Sequence, residues 1–346
     1  MSRRAYRGVA LAALIFLVVQ VGALALAPTF SELGYQTFDD PSNPTNSLVY
    51  IAAIIGMTAF MLAAFKYDLD QLIRGIIVLT SGLLSWYVFS AVVPSDPVAI
   101  ALSAAVAIAL FVYPEWYVID TSGALMGAGA AGLFGISFGL LPSLVLLSVL
   151  AVYDAISVYK TKHMLDLAEG VMDLRIPVVL VIPTTFSYSL LDDDFARDAN
   201  DVGENAPDAD VGADAEDAGG ELEAGDEHES EDEHDDDHEA DDPSDRDAFF
   251  IGLGDAVMPT VMVASAAVFS EAPSLGFSAL PVLNLPALLA MVGTFVGFAG
   301  LMWAVMKGRA HAGLPLLNGG AIGGYLVGTI IAGIPLVEAL GLAQYL

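Results

Sequence analysis

Two stretches, LSVLAVYDAISVY at residues 147–159 and FFIGLGDAVMPTVMV at residues 249–263, decide how this chain is read. Both are apolar runs of the kind that cross a bilayer, and each carries one acid, Asp154 and Asp255. Placing a charge in a bilayer is costly, so an acid there marks a functional site. These two are read as the carboxylates that lie well inside apolar segments.

The rest of the chain supplies the membrane setting. Of 346 residues, 56% are hydrophobic, mean hydropathy is +0.66, and runs of about 20 apolar residues recur. Nine spans are expected, at 8–28, 47–65, 73–93, 97–113, 121–141, 143–160, 249–270, 283–306 and 313–335. With the N-terminus in the cytoplasm, all 12 basic residues fall on the cytoplasmic side. They are Arg3, Arg4, Arg7, Lys66, Arg74, Lys160, Lys162, Arg175, Arg197, Arg246, Lys307 and Arg309. That distribution is the one membrane insertion imposes, and it puts the C-terminus outside a multi-pass protein of the cell membrane. The opening MSRRAYRGVALAALIFLVVQVGALALA has the form of a signal peptide. It is read as an uncleaved first span, because its removal would leave Lys66 and Arg74 to set orientation unaided. Cysteine is absent, which excludes a disulfide framework, a thiol nucleophile and cysteine-based zinc or iron–sulfur sites. Nothing points to nucleic acid.

Three regions follow. Residues 1–191 hold six spans and a cytoplasmic extension; 192–248 form an acidic loop; 249–346 hold three more spans. The formal net charge is −30, and 27 of the 42 acids lie between Asp192 and Asp247. Such a run cannot bury apolar area and is expected to be disordered, in keeping with a protein adapted to high salt. Within it His228, His234 and His238 could form a weak divalent-cation patch, although histidines without fixed geometry give little selectivity. Ahead of the loop, His163–Met172 shows helical spacing and reads as an amphipathic continuation of the sixth span. Ile176–Leu191 is apolar and rich in β-branched residues, with Pro177 and Pro183, and reads as a strand-like segment buried against protein. Glu115 and Asp120 bracket the turn between the fourth and fifth spans and read as solvated. Gly123/Gly127 and Gly135/Gly139 are small-residue pairs that suit helix packing.

The antiparallel course of the sixth and seventh spans sets the two acids at one depth. Asp154 precedes Lys160 by six residues, roughly 9 Å inside the boundary at the helical rise, and Asp255 follows Asp247 to a similar depth. Two carboxyls brought face to face share one proton. One can then act as general base on a water while the other polarises a scissile carbonyl. No metal, cofactor or covalent intermediate is needed, and no HExxH or GxSxG string offers another route.

Around the acids, Tyr153-Asp154 and Gly252-Leu253-Gly254-Asp255 resemble the YD and GxGD motifs of the presenilin and signal peptide peptidase family of intramembrane aspartyl proteases. That family's third element, Pro-Ala-Leu at the start of the ninth helix, is matched by Pro315-Leu316-Leu317 or, in a second alignment, by Ala312-Gly313-Leu314 followed by Pro315. The motifs fall in the right spans and order over nearly the whole chain. The resemblance implies an all-α fold of nine transmembrane helices and an Asp154/Asp255 dyad that hydrolyses peptide bonds within transmembrane helices of protein substrates. It implies that the glycines permit close backbone approach and that the Pro-Leu element supports the active-site wall. Acidity suggests an archaeal homologue from a halophile. From the residues alone Tyr153 is either a packing residue or part of the cleft wall, and Pro259 removes the donor that would bond the Asp255 carbonyl. The main alternative is a secondary transporter or cation channel that uses the acids for protons or sodium, but the usual internal repeat is not found.

Overall fold

The computed structural model describes residues 3–67, 69–158, 179–183, 185, 188–190, 248–307 and 312–345. The expected amphipathic continuation at His163–Met172 and most of the acidic loop, with His228, His234 and His238, lie outside the described residues.

Each expected span is matched by a helix. In chain order these are α1 (Arg3–Glu32), α2 (Thr45–Lys66), α3 (Asp70–Val92), α4 (Asp96–Val112), α5 (Trp116–Ser137), α6 (Leu140–Ile156), α7 (Leu253–Phe269), α8 (Leu285–Val305) and α9 (Gly313–Ile331). A short α10 (Leu336–Ala339) follows. Helices α1, α2, α3, α8 and α9 contain stretches long and apolar enough to cross a membrane. Helices α4, α6 and α7 are apolar but 17 residues each, at the lower end of what a bilayer core requires. Leu79, Val112, Val296 and Ile331 are each more than 60% exposed. So much bare apolar surface is unfavourable in water and suits contact with lipid. The protein is therefore embedded in the membrane and crosses it more than once.

At the centre is α7, which packs on α1, α5, α6, α8 and α9 and buries Val257, Val261, Met262 and Ala266 in the largest core cluster. Missing side chains set the helix spacing. A side chain at Gly135 of α5 would collide with Ala264 of α7, and one at Gly293 of α8 would run into the backbone of Gly320 on α9. Lipid offers no hydrophobic drive to join helices, so close van der Waals contact of this kind holds them. The packing role read for the glycines of the fifth span holds at Gly127 and Gly135.

One expected boundary changes. The seventh span was placed at 249–270, yet Ala248–Gly252 is a strand, β2, paired antiparallel with β1 (Val179–Pro183). Phe249, Phe250 and Ile251 favour a pleated surface, and the pairing partner, remote in sequence, decides between strand and helix. Ala248, assigned above to the acidic loop, thus belongs to the folded part. Register runs from Val179 opposite Gly252 to Pro183 opposite Ala248. One face of the sheet, with Leu180, Ile182 and Ile251, packs on α1 and α8 through Phe16 and Met302; the other, with Val181 and Ala248, packs on Leu110 and Ile119. The β1 segment, read as buried and strand-like, is both.

Candidate active site

Asp154 lies near the end of α6 and is 5% exposed. Asp255 is the third residue of α7, directly after β2. What joins them is the first turn of α9. The Leu314 N–H donates to Asp154 Oδ2 over 3.1 Å. A methyl group at Gly313 would lie 3.1 Å from Oδ2 and 3.2 Å from Oδ1 of Asp255. The Gly313–Leu314 unit therefore bonds to one acid and lies beside the other.

This placement has a physical logic. The first N–H groups of a helix have no partner within it and carry the positive end of its dipole. Asp255 sits in the first turn of α7, and Asp154 takes a donor from the first turn of α9. Two helix starts thus compensate the negative charge that the pair carries inside an apolar bundle. One turn further along α9, Asn318 Nδ2 donates to the Leu147 carbonyl over 3.1 Å and pins α9 to α6 a second time.

The other sequence-derived residues divide. Gly252 caps α7 in extended conformation, and a methyl there would sit 3.6 Å from Asp255 Oδ2. Leu253 packs on Gly127 of α5. A methyl at Gly254 would meet no described atom within 4 Å, so this glycine borders open space rather than a packed neighbour. Tyr153 is 45% exposed and turned away from the buried face that carries Asp154, as the 100° step between successive helical residues requires. Leu316 is exposed and Leu317 is buried in the α1–α8 cluster. Of the two alignments of the third motif, it is Ala312-Gly313-Leu314 that reaches the acids, whereas Pro315, Leu316 and Leu317 follow them along α9.

Two residues taken as solvated are not. Glu115 is 5% exposed and Asp120 is 6% exposed. Asp120 Oδ1 accepts the Val181 N–H over 2.8 Å. Glu115 accepts from Ser189 Oγ at 2.7 Å and from the Leu190 N–H at 3.1 Å. The chain folds back over this turn after α6 and buries both acids, which local sequence does not reveal.

Against known proteins, the family model for signal-peptide peptidase, presenilin aspartyl protease matches residues 13–334. The chain belongs to this family. Among solved structures, a presenilin family intramembrane aspartate protease in a C222 space group is 30% identical, with a TM-score of 0.58, over 92% of this chain and 97% of that one. A presenilin family intramembrane aspartate protease in a P2 space group is 31% identical, with a TM-score of 0.58, over 92% and 96% respectively. No curated protein matches the chain. The family is one of hydrolases, so the chain is a protease of the intramembrane aspartyl class and a multi-pass membrane protein.

Proposed function

We propose that this chain hydrolyses peptide bonds within transmembrane segments of other membrane proteins, with Asp154 and Asp255 as the catalytic pair. The observation that carries the reading is that one dipeptide, Gly313–Leu314, bonds to the Asp154 carboxyl and lies beside that of Asp255, although the acids sit on helices separated by residues 157–252. One carboxylate takes a proton from water as the water attacks the scissile carbonyl. The other, protonated, donates to the carbonyl oxygen; as the C–N bond breaks, the first carboxyl passes the water's proton to the leaving nitrogen and the second recovers its proton from the tetrahedral diol. Gly313 and Leu314 hold the wall of the site; Tyr153, Pro315, Leu316 and Leu317 act at a distance, through packing. A helical amide is shielded by its own hydrogen bonds, so the scissile stretch unwinds and pairs with the small sheet beside Asp255. The basic residues support an inside N-terminus and nine crossings. The decisive test is cleavage of a model transmembrane substrate by purified protein in liposomes, wild type against Asp255→Ala.

Because the pair must hold a single proton, the pH profile of kcat is expected to be bell-shaped. At low pH both carboxyls are protonated and no base remains; at high pH both are ionised and no acid remains. A transition-state mimic with a hydroxyl in place of the attacking water should inhibit. A profile without an alkaline limb, or inhibition by chelators alone, would point to other chemistry.

The loop should be dispensable. Pro183 and Ala248 are paired neighbours, so a short connection closes the hairpin, and loop-closure entropy changes only slowly with length. Deletion of Asp198–Asp241 is expected to leave kcat/KM within about twofold of wild type. Loss of activity with the fold intact would return a role to His228, His234 and His238.

A further inference from the structure

Asp120 is a costly residue to bury. Its Oδ1 accepts the Val181 N–H over 2.8 Å, and its Oδ2 has no partner among the described residues. Burying a carboxyl with an idle oxygen opposes folding, and an apolar residue of similar size would pack there at less cost. The contact that it makes is with an edge of the sheet. Since the Val181 N–H points at Asp120, the Val181–Phe250 pair is of the type that exchanges no ladder bonds, and the flanking pairs Leu180–Ile251 and Ile182–Phe249 are the bonded ones. The same alternation turns the peptide groups of Gly252 toward the outer edge of β2, three residues before Asp255. Glu115 receives Ser189 and Leu190, so the β1 segment is held on α5 at two points.

We propose that Asp120 is a positioning residue for proteolysis: it occupies the outer edge of β1 and locks the sheet on α5, leaving the outer edge of β2 as the one that receives an extended substrate. No strand pairs with that edge among the described residues. The inference rests on the protease reading above. An unpaired edge is a template for any extended chain, and a substrate added to β1 would lie on the far side of the sheet, three strand spacings or about 14 Å from the productive position beside β2. A side-chain acceptor on β1 removes that non-productive site and prevents β1 from peeling off β2.

The test compares wild type with Asp120→Asn, Asp120→Ala and Asp120→Leu, in liposomes with a model transmembrane substrate, together with amide hydrogen exchange of residues 179–190. Asn keeps a carbonyl oxygen for Val181; Ala and Leu remove it, and Leu fills the space of the lost carboxyl. Asp120→Asn is expected to keep kcat within about threefold, whereas Ala and Leu lower it by about tenfold or more with KM changed far less, because the helical part of the substrate docks elsewhere. Exchange at Val181 should rise in Ala and Leu but not in Asn, while Leu190, held by Glu115, stays protected. Wild-type kcat in Asp120→Leu overturns the proposal. So does an Asn variant as impaired as Ala, which would mean that charge rather than acceptance matters. A wild type that does not cleave refutes the protease reading, and the exchange data then stand alone as the test of the anchor.

Discussion

Asp154→Asn and Asp255→Asn are each expected to lower hydrolysis of a transmembrane substrate by about a thousandfold or more, to the background of the assay, because each removes a proton carrier from a pair that works only as a unit. Neither change should unfold the protein. Asparagine has nearly the same shape, and a neutral amide costs less to bury than a carboxylate. At position 154 its carbonyl oxygen can still accept the Leu314 N–H that Asp154 Oδ2 accepts at 3.1 Å. Thermal unfolding and elution volume should therefore match wild type, and product formation should be the quantity that falls. Cleavage above about a tenth of the wild-type rate by either variant would remove the aspartyl mechanism. If both variants instead lost proton or sodium flux while wild type showed no cleavage, the acids would serve transport.

How far the sequence reaches depends on the range of the interactions. Helix positions were legible because a span is a local property: an apolar run must hydrogen-bond its own backbone in lipid, and the helices begin and end within a few residues of the hydropathy boundaries. The two acids were legible for the same reason, being charges in the wrong solvent. The start of α7 was not. FFIGL suits a helix or a strand equally, and the choice is made by Val179–Pro183 across a connection spanning residues 184–247. Nor was burial of Glu115 and Asp120, since an acid near a helix start is ordinarily solvated and only the returning segment at Val181, Ser189 and Leu190 covers them. Gly313 was within reach through the alignment of Ala312-Gly313-Leu314 on the Pro-Ala-Leu string, but its weight depends on an approach to Asp255 that no spacing encodes.

That approach sets the second large effect. Gly313→Val is expected to lower kcat by about a hundredfold, the scale on which an ångström of misplacement in a reacting group is felt. Its Cβ would stand 3.1 Å and 3.2 Å from the two Asp255 carboxyl oxygens, already tight, and the two further methyls of valine add bulk beside that carboxyl, which is expected to turn the Asp255 side chain or shift the start of α9. A shift of α9 would also draw the Leu314 N–H away from Asp154, so the one substitution disturbs both acids. Gly313→Ala is the control. One methyl asks Asp255 to give by a few tenths of an ångström, and alanine is the residue that the Pro-Ala-Leu string carries at this place when Ala312-Gly313-Leu314 is laid on it, so kcat should stay within about threefold. The second anchor, Asn318 to the Leu147 carbonyl at 3.1 Å, keeps α9 on α6 in both variants and makes a general loss of fold an unlooked-for result. If valine left kcat unchanged while the corresponding enlargement at Leu316 abolished it, the site wall would lie further along α9, at Pro315-Leu316-Leu317, and the first turn of the helix would be only a neighbour of the acids.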